Sequence, residues 1–116
     1  MDKAILELAE KLGRSINDSQ AAAALRQARK ELDQHTDIVD TLRQYQEQFG
    51  KIQQLEEQNK PVEVSDKHHL QELHDKLIAS DVFKKFTAAQ MEYVDMMRQV
   101  NTTLRKQLAP TEGQGA

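Results

Sequence analysis

The side chains here that could do chemistry are four histidines, nineteen carboxylates and a series of cations toward the end of the chain. His68 and His69 precede Glu72 and His74 within one predicted helix, and His68 with Glu72 is an i, i+4 pair able to touch one metal ion. Two ligands on one face leave such a site half built, and no second His or carboxylate cluster is marked. The adjacent His68 and His69 also point about 100° apart on a helix. They read as solvated surface histidines, and His35, in a polar break, reads as a turn residue more than a general base. The carboxylates fall on outer helix faces beside Lys and Arg. Glu7 with Lys11 and Glu72 with Lys76 are i, i+4 pairs that support a solvated helix. An acid of raised pKa would need an apolar pocket, which thin helices with Ala-rich contacts do not supply. Neither a phosphate-cradling Gly-rich loop, nor Gly-x-Ser-x-Gly, nor His-Glu-x-x-His occurs. No enzyme, metal site or cofactor is expected.

Lys84, Lys85, Arg98, Arg105 and Lys106 place positive charge along the last predicted helix. They complement its carboxyl-terminal dipole or form a small basic strip, which would bind RNA weakly and with steep salt dependence. Formal net charge is −3 and the pI is near 5.8, so no global basic field holds a phosphate backbone. Direct nucleic-acid binding is disfavoured. Met91, Met96, Met97 and Tyr93 offer an adaptable binding face, or else Tyr93 and Met97 are core with Met96 on the flank.

The elements that must position these groups are helices. Of 116 residues only two are Pro and four Gly, so almost nothing breaks a helix in the interior. The absence of cysteine excludes disulfides, cysteine-ligated metals and thiol nucleophiles. No apolar run nears the roughly 20 residues of a membrane span, and MDKAILELAEKLG lacks the apolar core of a signal peptide. A soluble cytoplasmic protein, with no membrane partner, is expected.

Five helices are predicted. The first covers about Asp2 to Leu12, with Ile5, Leu8, Ala9, Leu12 and Ile16 on one side. Gly13 is expected to bend or break it, and Asn17, Asp18 and Ser19 compete to cap the next helix. That second helix, Ser19 to Gln34, carries the stripe Ala21, Leu25, Ala28 and Leu32. Thr36 is the expected N-cap of a long third helix, Asp37 to Asn59. Its seam is Ile38, Leu42, Tyr45, Phe49, Ile52 and Leu55, four and three apart. Gly50 within it suggests a kink or a close contact. Pro61 ends it. A fourth helix from Ser65 or Asp66 to Ala79 turns Leu70, Leu73 and Leu77 inward. Ser80 and Asp81 cap a fifth, Val82 to Leu108, with Val82, Phe86, Ala89, Tyr93, Met97, Val100, Leu104 and Leu108 in its stripe. The expected architecture is all-α: a five-helix array with two long amphipathic helices, one domain over 1–109, and a disordered tail at 110–116.

Helix length then bears on function. At 1.5 Å per residue the two long helices run roughly 35–40 Å. A compact domain of this size has a radius of gyration of only about 13 Å. The shorter helices cannot cover both seams, so bare apolar surface should remain for a second copy or a partner helix. The plain alternative is an antiparallel hairpin in which the long helices satisfy each other. The expected self-contact surface is Tyr45, Phe49, Ile52 and Leu55 of the third helix, with Phe86, Tyr93, Met97, Val100 and Leu104 of the last.

With the helices placed, the sequence resembles the YlbF/YmcA family of small bacterial proteins over about residues 2 to 108. At the front the match is Ala9-x-x-Leu12-Gly13-x-x-Ile16-x-x-Ser19 and Ala28-x-x-x-Leu32-Asp33. At the back it is Ser80-Asp81-Val82-x-x-Lys85-Phe86-x-x-Ala89 and Tyr93-x-x-Met96-Met97-x-x-Val100-Asn101. The resemblance implies an associating all-helical protein that acts through protein partners. Some family members work in a complex adjusting the endoribonuclease that handles messenger RNA, with effects on competence, sporulation and biofilm formation. Iron–sulfur clusters held by cysteine are reported for some; this chain has no cysteine, so that cofactor does not carry over, and the YheA-like branch is the expected closer relative.

Two readings stand. The first is a non-enzymatic, homo-oligomeric interaction module, expected as a dimer, that docks on a larger cytoplasmic complex concerned with RNA processing or turnover. The alternative is a small RNA- or DNA-binding module using the basic strip of the last helix. The lack of exposed aromatics for base stacking argues against it.

Overall fold

The computed structural model describes residues 2–108. Five helices follow in order: α1 Lys3–Asn17, α2 Gln20–Asp33, α3 Thr36–Glu57, α4 Val64–Ile78 and α5 Asp81–Gln107. They hold 87% of the described residues, and no strand occurs among these. The tail expected at 110–116 lies outside the described residues.

Local chemistry explains where the helices start and stop. The Asp2 carboxylate accepts the Ala4 N–H at 3.0 Å and caps α1. Gly13 does not break that helix, which continues to Asn17. A single glycine costs about 1 kcal/mol against alanine, and its neighbours on both sides are good helix formers. The break falls instead at Asp18 and Ser19. Of the three competing caps Ser19 wins: its hydroxyl donates to the Ile16 carbonyl at 2.6 Å and accepts the Ala22 N–H at 3.1 Å. One side chain thus closes α1 and opens α2.

The α2–α3 junction corrects one expectation. Thr36 is already helical, and His35 holds the N-cap position without a side-chain cap bond. The His35 ring turns back, its Nδ1 lying 3.0 Å from the Glu31 carbonyl at the end of α2. It closes the preceding helix and leaves the next uncapped. α4 opens at Val64, before either expected starting residue, and Asp66 sits in its first turn. At α5 the expectation holds, since the Ser80 hydroxyl accepts the Phe83 N–H at 3.2 Å.

α3 runs unbroken through Gly50, and a Cβ built there meets nothing within 4 Å, so no close contact requires the glycine. Its end is more demanding. Asn59 adopts φ 57°, the Lys60 N–H reaches the Leu55 carbonyl at 2.8 Å, and the Asn59 N–H reaches that of Glu56 at 3.1 Å. This paired closure needs a left-handed residue, and Asn tolerates that conformation better than most. Pro61 then prevents the helix from resuming.

The described residues group into two compact units, Ala28–Thr87 and 2–27 with 88–108. In the first of these Ala28, Leu32, Leu73, Leu77 and Phe86 are buried. α3 packs along α4 in an antiparallel hairpin. The Tyr45 and His74 rings lie 6.2 Å apart, and Lys51 Nζ meets Asp66 Oδ1 at 3.0 Å. Leu42, Tyr45, Ile52 and Leu55 are half-buried, so α4 gives this seam partial cover. Across the unit the Arg29 guanidinium sits 5.7 Å over the Phe86 ring, and Lys85 Nζ reaches Glu31 at 3.3 Å. In the other unit Ala22 and Ala89 are buried, while Leu25, Tyr93, Met97 and Val100 are half-buried. Arg26 bonds the Asn17 carbonyl and Oδ1 at 3.1 and 2.9 Å, tying the end of α1 to α2.

Asp66 anchors the α3–α4 hairpin. The Lys51 ammonium hydrogen-bonded to it holds its carboxyl below the ordinary value of 3.8, aided by Gln48. A depressed folded-state value stabilises fully above the unfolded value and is lost as pH falls through the folded one. Asp66→Asn should therefore melt below wild type at about pH 7, with the gap closing toward about pH 2. A gap that persists in acid would show that the pair is not its source. For the α3 terminus, Asn59→Ala is expected to cost about 1 kcal/mol in urea unfolding and Asn59→Gly to cost nothing. Equal losses for both would refute the left-handed closure.

Candidate protein-interaction surfaces

Helix stripes become contact surfaces where the fold leaves them uncovered. On α3 the aromatic ring of Phe49 is half exposed, 6.3 Å from Tyr45 and stacked on it. Ile52 and Leu55 continue the ridge, half-buried beside α4. Within Ala28–Thr87, then, Phe49 is the prominent apolar point of the expected surface. Phe86 differs. It is buried beneath Arg29 and forms part of that unit's core.

Along α5 cover declines toward the carboxyl end. Tyr93, Met97 and Val100 are half-buried, Leu104 is 48% exposed and Leu108 is 69% exposed. Met91 projects to solvent off the stripe, while Met96 is half-buried and lines a groove of about 620 Å³. Gln20, Ala21 and Ala24 form its α2 side, and Glu92, Asp95 and Gln99 its α5 side. The small alanine side chains leave this space, and the carboxylates make its rim acidic.

One surface was missed by sequence reasoning. α1 buries none of its residues. Ile5 and Leu8 are 62% and 65% exposed, with Leu12 at the exposed limit and only Ile16 half-buried. The signal was present in the spacing of these residues. It could not be read as a surface because an amphipathic stripe looks the same whether or not a neighbour covers it.

The polar groups are occupied on the surface. Among the described residues no group of three or more His, Asp and Glu side chains converges to hold a metal. His69 lies 4.0 Å from Glu72 and His74 3.8 Å from Asp75, two separate contacts on exposed side chains. Three cations of the expected basic strip face carboxylates: Lys84 with Asp81 at 3.7 Å, Lys85 with Glu31 at 3.3 Å and Arg98 with Asp95 at 2.7 Å. Arg105 and Lys106 occupy the last turn of α5, where the helix dipole favours cations. On α3, Arg43 reaches both Asp40 and Glu47, and its bond together with that of Gln44 lowers the Asp40 carboxyl. These exposed pairs each contribute little to stability, because solvent screens them. They do reduce the strip's free positive charge. No described helix is long and apolar enough to cross a membrane.

Comparison with known proteins fits this helical, surface-rich description. No curated protein and no solved structure matches the chain. A family model described as control of competence regulator ComK, YlbF/YmcA, matches residues 5–109, nearly the whole chain, and takes in all five helices from Ile5 onward. That family is one of regulatory helical proteins and is not a known enzyme family. With the predicted pattern, the five-helix fold and this match in agreement, the chain belongs to the YlbF/YmcA family.

Proposed function

We propose that this protein is a non-enzymatic interaction module that self-associates and docks on a larger cytoplasmic assembly regulating RNA processing or turnover. The observation carrying this reading is uncovered surface. Large apolar side chains stand exposed on the described helices: Phe49 on α3, Val94 and Leu104 on α5, and Ile5 and Leu8 on α1.

The family's description as a control of a competence regulator supports a regulatory role exercised through protein contacts. The RNA-turnover assembly rests on the family resemblance alone. The self-contact surfaces proposed are one in each unit, Tyr45, Phe49, Ile52 and Leu55 on α3 and Tyr93, Met97, Val100 and Leu104 on α5, with Phe49 and Leu104 exposed and the others half-buried. Treating 1–109 as one domain is part of the same reading, supported by α2 and α5, which each run without a break through residues of both units. Pairing of Lys84, Lys85 and Arg98 with carboxylates makes the nucleic-acid reading the weaker one.

Two measurements test the proposal. Phe49→Asp should lower the light-scattering mass while circular dichroism shows unchanged helicity; an unchanged mass would remove the α3 ridge from the self-contact. Affinity capture of the tagged chain with and without ribonuclease, read by mass spectrometry, should recover a ribonuclease or its accessory proteins in both arms. Recovery of the chain alone would overturn the RNA-turnover assignment.

A further inference from the structure

The groove between α2 and α5 lies wholly within the unit of residues 2–27 and 88–108. Ala21 and Ala24 of α2 and Met96 of α5 supply its apolar lining, and Glu92 and Asp95 its charge. Glu92, Asp95, Met96 and Gln99 recur three and four apart, so they share one face of α5. That face adjoins the stripe of Tyr93, Met97, Val100 and Leu104 without being part of it. No Lys or Arg lines the groove. Asp95 meets Arg98 at 2.7 Å, while among the described residues Glu92 meets no cation. The space, about 620 Å³, is open to solvent and does not enclose a small ligand as a binding pocket does.

We propose that this groove seats an amphipathic helix of a partner protein that carries Lys or Arg three or four residues apart beside Ala or Leu. The proposal rests on the interaction-module reading and assigns it a second surface, separate from the self-contact. An amphipathic helix recognised in a groove lays its apolar face into it through anchors at i, i+3 and i+4. The short side chains of Ala21 and Ala24 let an incoming helix axis come close. The flexible thioether of Met96 adapts its shape to the apolar side chain set against it. Charge then selects the partner. Glu92 and Asp95, one helical turn apart, attract cations at the same spacing and repel an acidic helix. Carboxylates this exposed supply discrimination and association rate more than affinity, and salt screens them. A second copy of the chain, at net charge −3, is a poorer occupant than a basic partner.

The test selects phage-displayed helical peptides, varied among Ala, Leu, Lys and Glu on one face, against the full chain. Enriched peptides should carry Lys three or four apart beside Ala or Leu. Binding of such a peptide should weaken on the order of tenfold on Glu92→Lys and recover when the facing Lys of the peptide is changed to Glu. Glu72→Lys makes the same charge change on α4 in the other unit and should leave binding as it is. Ala24→Trp should block the peptide with the helical signal kept, because Ala24 is exposed and supports no core. Failure to enrich any peptide, enrichment without charge preference, or equal losses on Glu92→Lys and Glu72→Lys would overturn the groove assignment while leaving self-association intact. An unchanged mass on Phe49→Asp bears on the α3 ridge alone and leaves the groove standing.

Discussion

Every helix in this chain carries an apolar stripe, and an apolar stripe in water must be covered by something. That requirement governs the rest of the structure. Where cover is available the helices pack: α4 lies against α3, and Leu73 and Leu77 are almost fully buried. Where it is not, the stripe stays in solvent, as on α1 and toward the end of α5. Covering one leucine is worth about 1.5–3 kcal/mol, a large share of the 5–15 kcal/mol that keeps a whole domain folded. A helix face left bare is therefore a strong source of association.

The buried side chains show how limited the internal cover is. Among the described residues three of the seven buried ones are alanines, which save little free energy individually but let helices approach closely. Phe86 is the one aromatic among them, and it is held from above by a cation. Polar chemistry adds boundary definition more than stability. Ser19, Ser80 and Asn59 decide where helices end, and the Lys51–Asp66 pair fixes the register of the α3–α4 hairpin. The exposed ion pairs contribute little, but by engaging Lys84, Lys85 and Arg98 they weaken the case for a nucleic-acid surface.

The family gives this physical picture a biological setting. The match is to a family described by control of a competence regulator, and among the described residues no group of three or more His, Asp and Glu side chains converges to hold a metal. Its apolar ridges differ in kind. The α3 ridge is aromatic, short and partly covered, whereas the α1 stripe is aliphatic and largely exposed, with only Ile16 half-buried.

The sequence by itself determined the helical class, the number of helices and most of their boundaries, because periodicity, caps and breakers are local properties. It also carried the family, through Ala9 to Ser19 at one end and Ser80 to Asn101 at the other. Gly13 was misread as a break because its local cost is smaller than the gain from continuing a good helix on either side. Thr36 was misread as a cap because the alternative, His35 folding back on Glu31, depends on backbone geometry at the end of α2. Only the tertiary structure decided which stripes were covered. Periodicity records that a face is apolar and says nothing of whether a neighbour of the right length lies against it. For this reason Phe86, expected on the self-contact surface, is buried, and the α1 stripe, placed on one side of its helix with no cover assigned, is largely exposed.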